Sequence, residues 1–147
     1  MPGYPSFVAS ESLSIDISAA QERVWQVITD VESWPQWTTS MTTVKRLDNG
    51  PLRVGSRARI KQPGLPNLVW QVTDITEGTE FTWVAHTPGV DTSAHHRVEQ
   101  TPAGVRLTLT VAWTGVFAGV VAAMAGKRTR GYLALETAGA KGRAEAA

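Results

Sequence analysis

The sequence predicts an α+β fold: a curved antiparallel sheet of about six to seven strands wrapped around one long C-terminal helix, with two short helices after the first strand. Three observations predict it. Residues 42–113 break into alternating segments joined by short turns, which makes consecutive strands antiparallel neighbours. A single alternating segment and an immediate helical stretch precede them. A long segment without strand periodicity follows them, and strands segregated from helices in this way form a layered α+β design.

Taking the elements in order, Leu13, Ile15 and Ile17 alternate with Ser12, Ser14 and Asp16, a period of two that marks a half-buried strand beginning near Phe7. Ser18 and Gln21 have the spacing of a capping box. The helix that follows presents Val24, Val27, Ile28 and Val31 on one face, with Trp25 beside it. It must end before Pro35, because the residue preceding proline is pushed out of the helical region. Strands are expected over residues 42–47, 56–62, 68–75, 80–86, 92–100 and 105–113, with turns at Asp48–Pro51, Pro63–Pro66, Glu77–Gly78, Pro88–Gly89 and Pro102–Gly104.

The segment 113–141 reads mostly as one helix. Phe117, Val121, Met124, Tyr132 and Leu135 fall three, four or eight residues apart, close to one face. Gly119, Gly126, Gly131 and Gly139 each cost about 1 kcal/mol relative to alanine in a helix interior. A helix of such small side chains either admits another backbone closely or leaves space beneath a curved sheet. The second use is the one expected, and the space is then a pocket for an apolar guest. The tail from Gly142 onward is expected to fray.

A chain of 147 residues reads as one domain over its whole length, able to bury a core unaided. Cysteine is absent, which excludes disulfides and thiolate chemistry and fits a reducing compartment. Fourteen basic residues against thirteen acidic ones give a net charge of +1 and no footprint for nucleic acid. Residues 1–6 lack the charged start of a signal peptide, so a cytoplasmic location is expected. The apolar run 116–125 is too short to span a bilayer, and its small residues argue against stable membrane insertion by a surface helix. There is no phosphate-binding glycine loop and no nucleophile turn, so no cofactor is expected. His95 and His96 point to opposite strand faces and no helical histidine spacing supports a metal site, so no metal is expected either. The sequence carries no signal for an oligomeric state.

The candidate ligand wall combines aromatic and apolar positions. Trp34 and Trp37 flank Pro35 in a stiff turn, and Met41 follows. Trp70 and Trp83 lie on adjacent strands, where they can be cross-strand neighbours. Leu107, Leu109, Val111 and Trp113 form the inward set of the last strand, faced by Phe117, Val121 and Met124 of the helix. Core packing explains any one tryptophan; six in one small chain is the anomaly. Arg57, Arg59 and Lys61 read as a solvated face, with Arg59 the candidate to turn inward and meet a polar ligand head. Continuing the inward set back from the last strand places His96 and Val98 toward the helix and His95, Arg97 and Glu99 toward water. In an apolar pocket His96 can act as a general base or acid, or simply complete a mixed lining.

The stretch Ile15-Asp-Ile-Ser-Ala-Ala-Gln-Glu-Arg-Val-Trp25 followed by Asp30-Val-Glu-Ser-Trp-Pro-Gln-Trp37 resembles the opening of the polyketide cyclase/dehydrase-like proteins, members of the START and birch-pollen-allergen superfamily. Gly55, Gln62-Pro-Gly-Leu-Pro66, Trp70, Phe81-Thr-Trp83, Pro88-Gly89, His96 and Tyr132-Leu-Ala-Leu-Glu136 resemble the same group, so the likeness runs over residues 7–145. The resemblance implies the helix-grip fold, with a deep apolar cavity between sheet and helix. It implies binding, or transport, of a hydrophobic small molecule or lipid. The alternative it implies is a cyclase or dehydratase acting on an aromatic or polyketide-like substrate; the resemblance carries over lining positions and no catalytic set, and the residue reading above makes His96 the candidate to move a proton.

Overall fold

Period-two alternation resolves into seven strands in the computed structural model, which describes residues 9–146. The strands are β1 (Ala9–Ile17), β2 (Thr43–Arg46), β3 (Arg57–Lys61), β4 (Leu68–Thr76), β5 (Glu80–Thr87), β6 (Val90–Thr101) and β7 (Gly104–Thr114). They form one antiparallel sheet in the order β1-β7-β6-β5-β4-β3-β2. The expected start of the first strand near Phe7 lies outside the described residues. Helix α1 (Gln21–Thr29) and a short 3-10 helix (Val31–Gln36) carry the chain from one edge of the sheet to the other, and α2 (Ala118–Glu145) crosses its concave face. Among the described residues no helix is long and apolar enough to cross a membrane.

The inward strand positions are those the alternation marks. Ala58 and Ile60 of β3, Phe81, Trp83 and Ala85 of β5, and Leu107, Leu109 and Trp113 of β7 are all buried. One irregularity breaks the pattern. The β4–β5 register shifts between Val72 and Asp74, and such a bulge inserts one extra residue into its strand. Strict alternation from Val72 would turn Asp74 inward. The bulge leaves Asp74 exposed and lets Ile75 pack against the core instead.

The expected capping box does not form. The residue preceding α1 is Ala20, which has no side-chain oxygen to offer. Ser18 lies too far upstream, and its backbone N–H donates to Glu145 across the fold. Gln21 donates instead to the Gly78 carbonyl in the β4–β5 turn. Val24, Val27, Ile28 and Val31 are buried as their spacing requires. With Trp25 set edge-on to Phe81, at a centroid distance of 6.2 Å, they make the solid end of the core.

Helix α2 begins later and ends later than its composition suggests. Gly115, at φ +114°, makes the corner after β7, and the backbone of Gly89 packs so close that a side chain there would strike it. The Phe117 ring in turn lies over Gly89. The tail expected to fray is helical to Glu145, held by Lys141 donating to the Asp16 carbonyl and by Glu145 accepting from Ser18 and Lys141. The helical face also differs. Met124 is 82% exposed, and Val120, Phe117 and Leu135 are exposed as well. The face turned to the sheet carries Val121, Ala125, Thr129, Leu133, Glu136 and Ala140, a stripe of small, apolar and polar residues. Both uses of small residues occur on this helix. At Gly139 the Trp37 carbonyl stands where a Cβ would be, so the absence of a side chain permits close approach. Over Val121–Glu136 the short side chains leave room.

Candidate ligand-binding cavity

That room is a cavity of about 300 Å³ between α2 and the strands. Trp34 of the 3-10 helix and Met41 after it line one side. Trp70 of β4, Trp83 of β5, Ala94 and His96 of β6, and Val111 and Trp113 of β7 form the floor. Val121, Ala125, Thr129, Leu133 and Glu136 of α2 form the roof. Pro66 and Arg128 make an exposed rim, where Arg128 and Tyr132 hydrogen-bond to the carbonyls of Gly64 and Pro63. A larger open cleft, about 460 Å³, lies on the outside between α1 and the turn after β2; Arg23, Arg46, Glu77 and Arg143 give it a charged lining. The apolar cavity beneath α2 is the better candidate, because small-molecule sites combine a mostly hydrophobic wall with a few placed polar groups.

Of the residues proposed from sequence, Trp34, Met41, Trp70, Trp83, His96, Val111, Trp113 and Val121 line this cavity. Trp37, Leu107 and Leu109 line a separate recess of about 10 Å³, behind Trp34, His96 and Glu136. That is room for about one water molecule. Arg59 stands on the outer face of β3 opposite Ala58 and Ile60, so it does not turn inward. Phe117 packs on Gly89 outside the wall, and Met124 projects to solvent from the far side of α2.

The aromatic floor is continuous. Trp34 meets Trp83 edge-on at 5.3 Å, and Trp83 meets Trp70 at 6.1 Å. His96 lies among them, 5.6 Å from Trp34 and stacked on Phe81. Its neighbour His95 faces the other way, paired with Glu80 at 3.1 Å. Burial pushes the His96 imidazole down to about 3, so it is neutral at physiological pH. Its Nδ1 and the Nε1 of Trp34 are buried with no hydrogen-bond partner among the described residues.

Sequence reasoning missed Glu136. It is half-buried, and the surface it retains lines the cavity wall. The Ser40 hydroxyl donates to its Oε2 at 2.8 Å and shares a hydrogen bond with the Thr38 hydroxyl. Burial pushes the carboxyl up to about 7, with the Ser40 bond pulling the other way. The available signal was its place in the stripe Val121, Ala125, Thr129, Leu133, whose members are three or four residues apart. Gln62, which donates to the Ser40 carbonyl at 3.3 Å, was also missed. Among the described residues no three metal-binding side chains converge.

The model of the family described as polyketide cyclase/dehydrase and lipid transport matches residues 9–145. No curated protein matches the sequence. Solved structures share the fold. Hypothetical protein jhp0584 from Helicobacter pylori superposes with a TM-score of 0.77 at 15% identity, over 99% of this chain and 92% of that one. Ara h 8.0201 gives 0.65 at 8% identity, over 90% and 97%. The di-domain ARO/CYC StfQ from the steffimycin biosynthetic pathway gives 0.70 at 12% identity, over 95% of this chain and 53% of that one. At these identities the likeness establishes the fold.

Proposed function

Because the chain belongs to the polyketide cyclase/dehydrase and lipid transport family, we propose that it binds a small hydrophobic molecule, or the apolar part of a lipid, between the sheet and α2. The observation that carries this reading is the tryptophan-walled cavity of about 300 Å³. Protein interiors are otherwise close-packed. Removing a guest's apolar surface from water there would contribute about 25 cal/mol per Å². Native mass spectrometry of freshly purified protein, followed by melting curves across an apolar library, tests the reading. A co-purified lipid-like species or a guest-dependent rise in Tm supports it. A bare mass together with a flat Tm across the library removes it.

One observation favours a second reading, a cyclase or dehydratase. A carboxyl held near 7 inside the cavity can both give and take a proton at neutral pH, the property a general acid–base needs. His96, held near 3, is a poor proton acceptor there. In this reading Glu136 moves the proton and His96 shapes the floor. Deuterium exchange beside the carbonyl of a bound aryl ketone, followed by NMR, separates the two readings. Exchange catalysed by the wild type and lost in Glu136→Gln supports the enzyme; equal, uncatalysed exchange in both leaves a binder.

A further inference from the structure

Among the described residues the cavity wall holds one acidic group, Glu136, and its hydrogen bonding is incomplete. Among the described residues Glu136 is bonded by Ser40 alone, at Oε2, which leaves Oε1 without a protein partner. Among the described residues nothing of opposite charge faces it from the inner wall. Arg59 is on the outer face of β3, and Arg128, the cation nearest the cavity, sits at the exposed rim with its guanidinium on the Gly64 carbonyl. Uncharged polar groups near the inner end include the neutral His96, the Trp34 Nε1, the Gln62 amide and the Ser40 and Thr38 hydroxyls. Four tryptophans, Trp34, Trp70, Trp83 and Trp113, present aromatic surface to the same space. Aromatic pairs in offset-stacked or edge-on contact gain about 0.5–1.5 kcal/mol beyond their area burial, which an aromatic guest can collect from these rings.

Resting on the proposed binding role, we infer that Glu136 is the specificity-determining residue of the cavity, and that it selects an uncharged, planar aromatic guest with its carbonyl or hydroxyl oxygen directed at the carboxyl. A protonated carboxyl donates to such an oxygen. A guest with an inward carboxylate would meet an acidic group with no cation to offset it, in a low-dielectric wall. The raised pKa of Glu136 agrees with this, since the protonated form is populated at and below neutral pH.

The test uses three matched probes, 2-acetylnaphthalene, 2-methylnaphthalene and 2-naphthoate, titrated calorimetrically into the full chain at pH 6. The wild type should bind 2-acetylnaphthalene about tenfold more tightly than 2-methylnaphthalene, the worth of one good buried hydrogen bond, and 2-naphthoate most weakly. Glu136→Leu should erase the advantage of the ketone while keeping or improving affinity for the hydrocarbon. Glu136→Gln, which retains a donor, should keep most of that advantage. Melting curves of both variants confirm that each is folded, and the glutamine variant carries the test if the leucine variant is not. Equal wild-type affinity for ketone and hydrocarbon overturns the role of Glu136 and leaves the binding role standing. Tightest binding of 2-naphthoate overturns it in favour of a head group held at Arg128. Failure of all three probes to bind the wild type removes the binding role as well.

Discussion

The imidazole of His96 lies flat on the ring of Phe81, with centroids 4.1 Å apart and planes 6° from parallel. The two residues are register partners across β5 and β6, so the stack is built into the sheet. It places a titratable ring where charging it is costly, while Glu136 on α2 resists charging for the same reason with opposite sign.

That opposition predicts an unusual pH profile. The folded pKa of His96 is depressed from 6.5 to about 3, so the unfolded chain binds the extra proton between those values and stability falls as pH drops through that window. The folded pKa of Glu136 is raised from 4.5 to about 7, so the folded chain binds the extra proton and stability falls as pH rises through that window. Each effect is on the order of 3–5 kcal/mol. Between about pH 4.5 and 6.5 the two slopes cancel, and urea unfolding of the wild type should be nearly flat apart from the surface carboxylates. Glu136→Gln should expose a decline toward acid, and His96→Gln a decline toward neutral pH. Parallel profiles in all three proteins would refute the assignment.

Two glycines of α2 should respond oppositely to alanine. At Gly139 the new methyl meets the Trp37 carbonyl and ring, and a loss of about 1–3 kcal/mol is expected. At Gly131 nothing stands within 4 Å, so the ordinary helix preference should stabilise by about 0.5–1 kcal/mol. Denaturant midpoints at constant m-value read both, and equal signs would contradict the packing described.

Ala125 faces the cavity, and Ala125→Phe should fill it from above. Affinity for a naphthalene-sized guest should fall more than tenfold while Tm changes little, since the added ring occupies existing space. Undiminished binding would place the guest elsewhere.

Met124 is the matching control. Although it is one residue away, it projects to solvent. Met124→Ser should leave guest affinity unchanged and stability within about 0.5 kcal/mol. A large loss of binding would show that this side of α2 contributes to the site.

How far the sequence could be read follows from which residues carry an unambiguous period. β7 alternates cleanly, and continuing its inward set back assigned His96 and Val98 inward and Arg97 outward; in the structure His96 and Val98 are buried and Arg97 is exposed. Arg59 followed the same rule: its neighbours Ala58 and Ile60 already claimed the inner face. The bulge at Val72–Asp74 leaves no mark in composition, because it depends on pairing with β5. Helix α2 failed for a different reason. Several of its large apolar residues, Met124 and Leu135 among them, are exposed, whereas the cavity-facing stripe contains Ala125, Thr129 and Glu136. Spacing hydrophobic residues therefore mixes two faces, since Val121 and Tyr132 line the cavity while Phe117, Met124 and Leu135 do not, and the polar residue at the inner end goes unseen.

The first strand pairs with the last: Ala9 lies opposite Trp113 and Ile17 opposite Val105. During synthesis, β1 must wait for almost the entire chain before its partner exists, and the concave surface cannot close before then. Contacts so distant along the chain slow folding, because a long loop must be ordered before the pairing is gained. Until β7 arrives, the edge of β1 is open to strands of other copies. Overexpression should therefore fail first by aggregation of nascent chains, and slower translation near the C-terminus would lengthen that exposure.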